Sequence, residues 1–175
     1  MRFNLLNRLF PVIIIFIVSL STARADDFRK GEKTIGVEVG YNSFNESAVT
    51  GITFSYRFNR LLRIAPNVQY VFRNNQTDAF IFNCDFHVPF KIKTSRVELF
   101  PLAGVCYASW NHHGLDGIRT ISDDVSSRDS QFGINVGGGI GFKCSGNLRL
   151  FAEGRYSFVR DYNNTSILAG IAYSF

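Results

Sequence analysis

The stretch Phe80-Ile81-Phe82-Asn83-Cys84-Asp85-Phe86-His87-Val88-Pro89-Phe90 carries an apolar side chain at every second position. Phe80, Phe82, Cys84, Phe86, Val88 and Phe90 fall on one face. Ile81, Asn83, Asp85, His87 and, just beyond, Lys91 fall on the other. Successive side chains of a strand point to opposite faces, so this period of two predicts a strand with one greasy face and one largely polar face.

The pattern repeats outward in both directions. Upstream, Ile35, Val37, Val39 and Tyr41 oppose Gly36, Glu38 and Gly40, and Ile52, Phe54, Tyr56 and Phe58 oppose Thr53, Ser55 and Arg57. Ile64, Val68, Tyr70 and Phe72 then oppose Arg63, Asn67, Gln69 and Arg73. Downstream, Val97, Leu99, Ala103, Val105 and Tyr107 oppose Arg96, Glu98, Gly104 and Cys106. Phe132, Ile134, Val136, Ile140 and Phe142 oppose Gln131, Asn135, Gly137, Gly139 and Gly141. Leu148, Leu150, Tyr156 and Phe158 oppose Arg149, Glu153 and Arg155, and Ile167, Ala169, Ile171, Tyr173 and Phe175 oppose Ser166, Gly170 and Ser174.

Eight such strands of roughly 9 to 12 residues, where about 9 to 11 cross a bilayer on a tilt, close with both termini at one end. Closure matters because an open edge in hydrocarbon leaves backbone N–H and C=O groups unpaired. Connections near Asn59-Arg60, Ile92-Lys93-Thr94 and Ser145-Gly146-Asn147 read as tight, and those at 45–48, 74–78, 112–129 and 160–165 as longer. Short turns on one side and long loops on the other suit a membrane barrel with its turns in the periplasm. A turn centred between Lys93 and Thr94 sets Phe80 opposite Tyr107, Phe82 opposite Val105 and Cys84 opposite Ala103, so the greasy sets share a face. Cys84 and Cys106 then point apart, and no disulfide between them is expected. Pro66, Pro89 and Pro101 lie inside predicted strands, where a proline removes a ladder bond, and read as local bulges.

Composition decides which face looks outward. An eight-stranded barrel has room inside only for a close-packed set of side chains. Phe54, Phe72, Phe80, Phe82, Phe86, Phe90, Phe132 and Phe158 would overfill it, whereas the Gly, Ser, Asn and charged set fits. A soluble barrel carrying an apolar ligand would have the opposite facing. The fold class expected is all-β, an eight-stranded antiparallel up-and-down transmembrane β-barrel. Its interior polar network is Glu38, Arg57, Arg63, Arg73, Asp85, His87, Arg96, Glu98, Arg149, Glu153 and Arg155, salt-bridged and without a wide pore, because buried charge needs a partner or water. A narrow anion path is the channel alternative. Aromatic girdles are expected at Tyr41, Tyr70, Phe72, Phe80, Tyr107, Trp110 and Tyr156 on the loop side. Their counterparts on the turn side are Tyr56, Phe58, Phe90, Phe142, Tyr173 and Phe175.

The first 25 residues read as a secretory signal. Arg2 and Arg8 precede an apolar run over 9–20, and Ala23-Arg24-Ala25 supplies the small residues at a cleavage site. The run is too short to span as a helix. The barrel domain is then 26–175. Removing Arg2, Arg8 and Arg24 takes three charges from the net +5, and no basic stripe with interleaved aromatics is left for nucleic acid. Cys84, Cys106 and Cys144 cannot all pair, fit no zinc spacing, and receive no role.

Little else suggests chemistry. His112 and His113 are followed by Gly114, with Ser109 before them and Asp116 in the loop. A Ser–His pair needs an orienting acid and an oxyanion donor. Adjacent histidines on a strand point to opposite faces, which disfavours a shared metal. No catalytic, metal or cofactor residue is assigned. The loop at 112–129 mixes Asp116, Asp123, Asp124 and Asp129 with Arg119 and Arg128. It is the surface expected to meet an extracellular partner, if one exists.

The ending Ile171-Ala172-Tyr173-Ser174-Phe175, with Phe175 terminal and Ile171 and Tyr173 in step with it, resembles the signal by which barrel-assembly machinery recognises its clients. Together with Phe100-Pro101-Leu102-Ala103-Gly104-Val105 and Phe132-Gly133-Ile134-Asn135-Val136-Gly137-Gly138-Gly139, it makes the chain resemble the small outer-membrane β-barrel family of OmpA/OmpX type, in the form common in Bacteroidetes. The resemblance implies insertion by that machinery and residence in the outer membrane among lipid and lipopolysaccharide. The chain departs from OmpA in having no peptidoglycan-binding domain after the barrel, so no cell-wall tether is expected. The function expected is that of a non-enzymatic barrel in envelope structure or surface interaction. The alternative is a rim enzyme modifying lipid A.

Overall fold

The computed structural model describes residues 30–92, 96–112, 127–160 and 162–175. The expected signal at 1–25, with Ala23 and Ala25, lies outside them, as do His113, Asp116, Asp123 and Asp124. Strand segments β1 (Lys33–Asn42), β2 (Ser47–Arg57), β3 (Arg63–Asn74), β4 (Thr77–His87), β5 (Phe90–Lys91), β6 (Val97–His112), β7 (Ser127–Ser145), β8 (Leu148–Val159) and β9 (Asn164–Ser174) make one antiparallel sheet. β1 pairs with β9, and β4 with β6, so the sheet closes on itself. β5 continues the stave of β4 past Val88 and Pro89. Nine segments therefore make eight staves, the barrel that the alternation predicted.

The greasy face looks outward. Phe82, Phe86, Ile52 and Val105 are exposed, and Phe132 is 78% exposed. Glu38, Asp85, Asn135 and Arg155 point into the barrel and are buried. Outward aromatics touch one another both along and across the staves. Tyr70 lies 5.3 Å from Phe72 and 4.9 Å from Phe80, Tyr107 lies 5.0 Å from Phe132, and Tyr56 lies 5.0 Å from Phe58 on the turn side. Trp110 departs from the expected girdle. Its ring is fully buried inside the barrel, on the same parity as Cys106 and Ala108.

Three further expectations need correction. Phe82 pairs with Tyr107, Cys84 with Val105 and Phe80 with Ser109, two residues from the expected register. A slip of two keeps every side chain on its face, so alternation alone does not detect it. The offset is the same on both sides of Pro89, since His87 pairs with Leu102 and Phe90 with Leu99. The prolines do not make bulges. Pro66 sits in regular register opposite Cys84, and Val88 N–H reaches the Pro101 carbonyl at 3.1 Å. The irregularities fall instead between Val71 and Asn74 and between Lys143 and Ser145.

Connection lengths separate the two ends less cleanly than expected. Asn75 and Gln76 form a two-residue turn with φ of 47° and 60°, as a type I′ hairpin requires. The β2–β3 link is longer than expected, running from Phe58 to Leu62 with Phe58 N–H bonded to the Leu62 carbonyl. The loop side is marked by β6 and β7. They pair from Tyr107–Phe132 up to His112–Ser127, whereas β8 joins β7 only from Val159–Gly133.

Candidate functional site

The barrel interior is filled in three layers. At the turn side, Glu98 is the hub. Arg63 Nη1 donates to its carboxylate at 2.7 Å, Arg149 Nη2 lies at 3.2 Å and Arg57 Nη2 at 3.3 Å. Arg57 Nε also meets Glu32 at 3.3 Å. Arg63 Nη2 lies 3.0 Å from His87 Nδ1. A guanidinium only donates, so Nδ1 accepts and the ring proton sits on Nε2. His87 stacks on Phe100 at 4.8 Å, and the guanidiniums of Arg63 and Arg149 lie 4.8 and 5.4 Å from the same ring. β7 makes room for this group with glycine: a Cβ on Gly139 would meet the Phe100 ring at 2.4 Å, and one on Gly141 the Arg149 side chain at 2.5 Å.

The central layer is built around Arg155, which lies 3.0 Å from Asp85 and also holds Glu153. Asn135 Nδ2 donates to Asp85 and to Asn83, both at 2.9 Å, and Asn83 donates to Asn67 at 2.8 Å. Ser157 donates to Asn135 at 2.8 Å, and Gln69 to Glu38 at 2.7 Å. Buried polar groups here are tied into a chain, the arrangement that low dielectric demands.

The loop-side layer is apolar. Val49, Val71, Ala79, Ile81, Cys106, Ala108, Trp110, Val159 and Leu168 form one buried cluster with Tyr162 against it. Phe44 meets the Trp110 ring edge-on at 4.7 Å, and Tyr162 stacks on it at 5.7 Å. The Tyr162 hydroxyl donates to Asp129 at 2.7 Å and holds that carboxyl below the usual carboxylate range, with Gln131 adding to the effect. Asn42 donates to Asn164 at 3.1 Å and to Ser166 at 3.2 Å, and Asn45 to the Phe72 and Thr77 carbonyls, tying the hairpin ends together.

Of the expected interior residues, Glu38, Arg57, Arg63, Asp85, His87, Glu98, Arg149, Glu153 and Arg155 lie in the two polar layers. Arg73 and Arg96 do not. The Arg73 side chain is 55% exposed and 3.8 Å from Asp78 at the rim, because the irregularity after Val71 breaks the parity there. Arg96 precedes β6, is exposed, and donates to the Cys144 carbonyl at 3.4 Å. Ile171, Tyr173 and Phe175 are exposed on the outer wall of β9. Sequence reasoning missed Phe100 and the Trp110 cluster, although both share a parity with Glu98 and Cys106 that marks them as inward. His112 bonds to Thr77 at 3.2 Å, whereas Ser109 accepts from Ser130 at 3.1 Å. Three residues apart on one strand, Ser109 and His112 point to opposite faces. The three cysteines are free thiols, and among the described residues no cluster could hold a metal.

Residues 15–175 match the family described as outer membrane protein beta-barrel domain. No curated protein matches. Among solved structures, the N-terminal β-barrel domain of Pseudomonas aeruginosa OprF is similar at TM-score 0.67 and 12% identity, over 83% of this chain and 98% of that one. Neisserial surface protein A aligns at 0.65 and 18%, over 82% and 96%. Ail, the attachment invasion locus protein of Yersinia pestis, aligns at 0.59 and 17%, over 84% and 100%.

Proposed function

Since the chain belongs to the outer membrane protein β-barrel family, we propose that it is a non-enzymatic barrel acting in envelope structure or surface contact, with an interior closed to steady ion flow. Residence in the outer membrane follows from the family and the fold; export through a signal cleaved after Ala25 is part of the proposal. One observation carries the closed interior: two ion-paired layers and an apolar layer stack across the lumen, with Trp110 fully buried in the last. With the lumen occupied, what remains for function is the outer wall and the loop end. The wall meets lipid and lipopolysaccharide. Ile171, Tyr173 and Phe175 serve the barrel-assembly machinery during insertion. The raised β6–β7 pairing ends at His112 and Ser127, the described flanks of the segment that would meet an extracellular partner, and likeness to a barrel named for attachment and invasion supports that reading.

Planar-bilayer recording on the purified barrel tests the closed interior. The expected trace has no steady conductance, and reproducible openings of one size would overturn the proposal in favour of a narrow channel. A rim enzyme is disfavoured by the opposite facing of Ser109 and His112. The lipid A profile of a strain lacking the gene is therefore expected to match the parent's. Loss of one lipid A modification, restored by the gene, would establish the enzyme instead. Shortening residues 113–126 is expected to leave heat-modifiable migration intact while weakening adhesion to host matrix or to neighbouring cells.

A further inference from the structure

Charge is unevenly divided between the two ends of the barrel. In sequence, the segments that bound the staves on the turn side, 26–33, 57–63, 91–98 and 143–149, carry eleven Lys and Arg against four Asp and Glu. Those on the loop side, 42–47, 72–78, 111–129 and 159–165, carry four against seven. A carboxylate on Phe175 would lower the turn-side excess by one and leave its sign. Part of that excess is engaged inside: Arg57, Arg63 and Arg149 bind Glu98, Arg57 also meets Glu32, and Lys91 stands opposite Glu98 in the ladder. The rest lies on the rim. Lys30, Lys33, Arg60, Arg96 and Lys143 are exposed, and among the described residues none of them is paired with an acid. Arg96 donates to the Cys144 carbonyl.

The placement of these cations points to lipid rather than to one folded partner. Lys30 and Lys33 lie at the start of β1, Arg60 between β2 and β3, Arg96 just before β6, and Lys143 near the end of β7. Each turn-side junction of the barrel therefore carries at least one, and together they ring the rim instead of forming a patch. Lys33 has the outward parity of Ile35 and pairs with Tyr56. Phe58, Tyr173 and Phe175 are exposed at the same end, and aromatic girdles mark the headgroup level. Lys30 and Lys143 also border one open depression of about 360 Å³, where the only acidic side chain, Glu32, is already held by Arg57. We propose that this rim selects anionic phospholipids in the leaflet it meets, by ion pairs with headgroup phosphates that carry no cation of their own. Each Lys or Arg near a bilayer surface favours an anionic lipid by about fivefold, whereas a zwitterionic headgroup brings a competing cation. The loop end, where acids are in excess, has no such preference. This selection presupposes the membrane residence described above.

The test uses the full barrel folded into phosphatidylcholine vesicles, with folding checked by heat-modifiable migration. Trace spin-labelled phosphatidylglycerol or phosphatidylcholine is added, and electron spin resonance reads the fraction of each held at the protein. At low salt phosphatidylglycerol is expected to be held more tightly, by up to about fivefold. In about 1 M salt, where the Debye length is about 3 Å, the preference is expected to fall toward unity. Equal retention of the two lipids at low salt overturns the proposal and leaves the cationic rim to an acidic macromolecule. A preference that salt does not touch overturns it as well. The combined variant Lys30→Gln, Lys33→Gln, Arg60→Gln and Lys143→Gln is expected to lose the preference, and its persistence counts against the rim. Arg128→Gln, one cation fewer at the loop end, is expected to keep it, and its loss there would overturn the assignment to the turn side. Should the combined variant fail to fold, Lys33→Gln alone is expected to weaken the preference, and an unchanged value overturns the proposal. A barrel that holds neither lipid refutes membrane residence itself, whereas one that holds both alike refutes only the selection.

Discussion

Arg155 sits 3.0 Å from Asp85 and also holds Glu153, in an interior where neither acid reaches bulk water. Its value lies less in the ion pairs than in what its removal exposes. Two carboxylates would be left in a low-dielectric layer without their cation, and breaking a buried pair in this way costs about 3–5 kcal/mol. Arg155→Met is therefore expected to lower unfolding stability by about that much, read as a urea midpoint in micelles. Replacing all three residues together, Asp85→Asn, Glu153→Gln and Arg155→Met, is expected to recover most of the loss, because no charge is then stranded. A smaller space argument applies at Gly104. A Cβ there would lie 2.4 Å from the Cys84 carbonyl oxygen and 2.3 Å from Asp85 Oδ1, so Gly104→Ala is expected to destabilise by roughly 1–3 kcal/mol through overpacking in the same assay. The identities of these interior residues were legible in the sequence because alternation sorts faces. Their partners were not: nothing in a period of two says that Glu98 gathers three arginines or that Phe100 lies beneath two of them.

Among the elements, β4 and β6 separate what the pattern can encode from what it cannot. Parity placed Phe82, Cys84 and Phe86 outward and Asp85 and His87 inward, as found. Register is another matter, because a shift of two residues preserves both faces and is decided by how the chain turns between Lys91 and Val97, not by the faces themselves. Backbone proton contacts measured by NMR in micelles are expected between Phe82 and Tyr107 and between Asp85 and Gly104. Contacts between Phe82 and Val105 instead would restore the shorter turn. Arg73 shows the same limit from the other side. Its parity predicted an inward side chain, and an irregularity between Val71 and Asn74 turned it to the rim. Trp110 was readable and misread. An aromatic near a strand end suggests a girdle, but its parity with Cys106 and Ala108 makes it a plug.

At the scale of the whole molecule, the decisive property is inversion: charge inside, hydrocarbon outside. In a soluble protein an exposed valine is an ordinary surface position, and its replacement by arginine usually changes stability by less than about 0.5 kcal/mol. Val37 is such a position by exposure, 55% accessible on β1. Its neighbours across the staves are Ile52 and Ile171, both also exposed. An unbroken apolar band facing outward is explained by lipid, and there the same substitution meets a different solvent. An arginine on the lipid face costs about 2–4 kcal/mol at the bilayer midplane and about 0–1 near the interfaces. Val37 lies mid-strand, far from both ends of β1. Val37→Arg is accordingly expected to lower the stability of the barrel folded into phospholipid vesicles by roughly 2–4 kcal/mol. Lys33→Arg, at the turn-side end of the same strand, is expected to change it little. Equal and negligible effects at the two positions would mean that this wall faces water, and the inversion would then need another explanation. The Val37 result carries the test, because Lys33→Arg exchanges one cation for another and serves as the check that an arginine at the interface is tolerated.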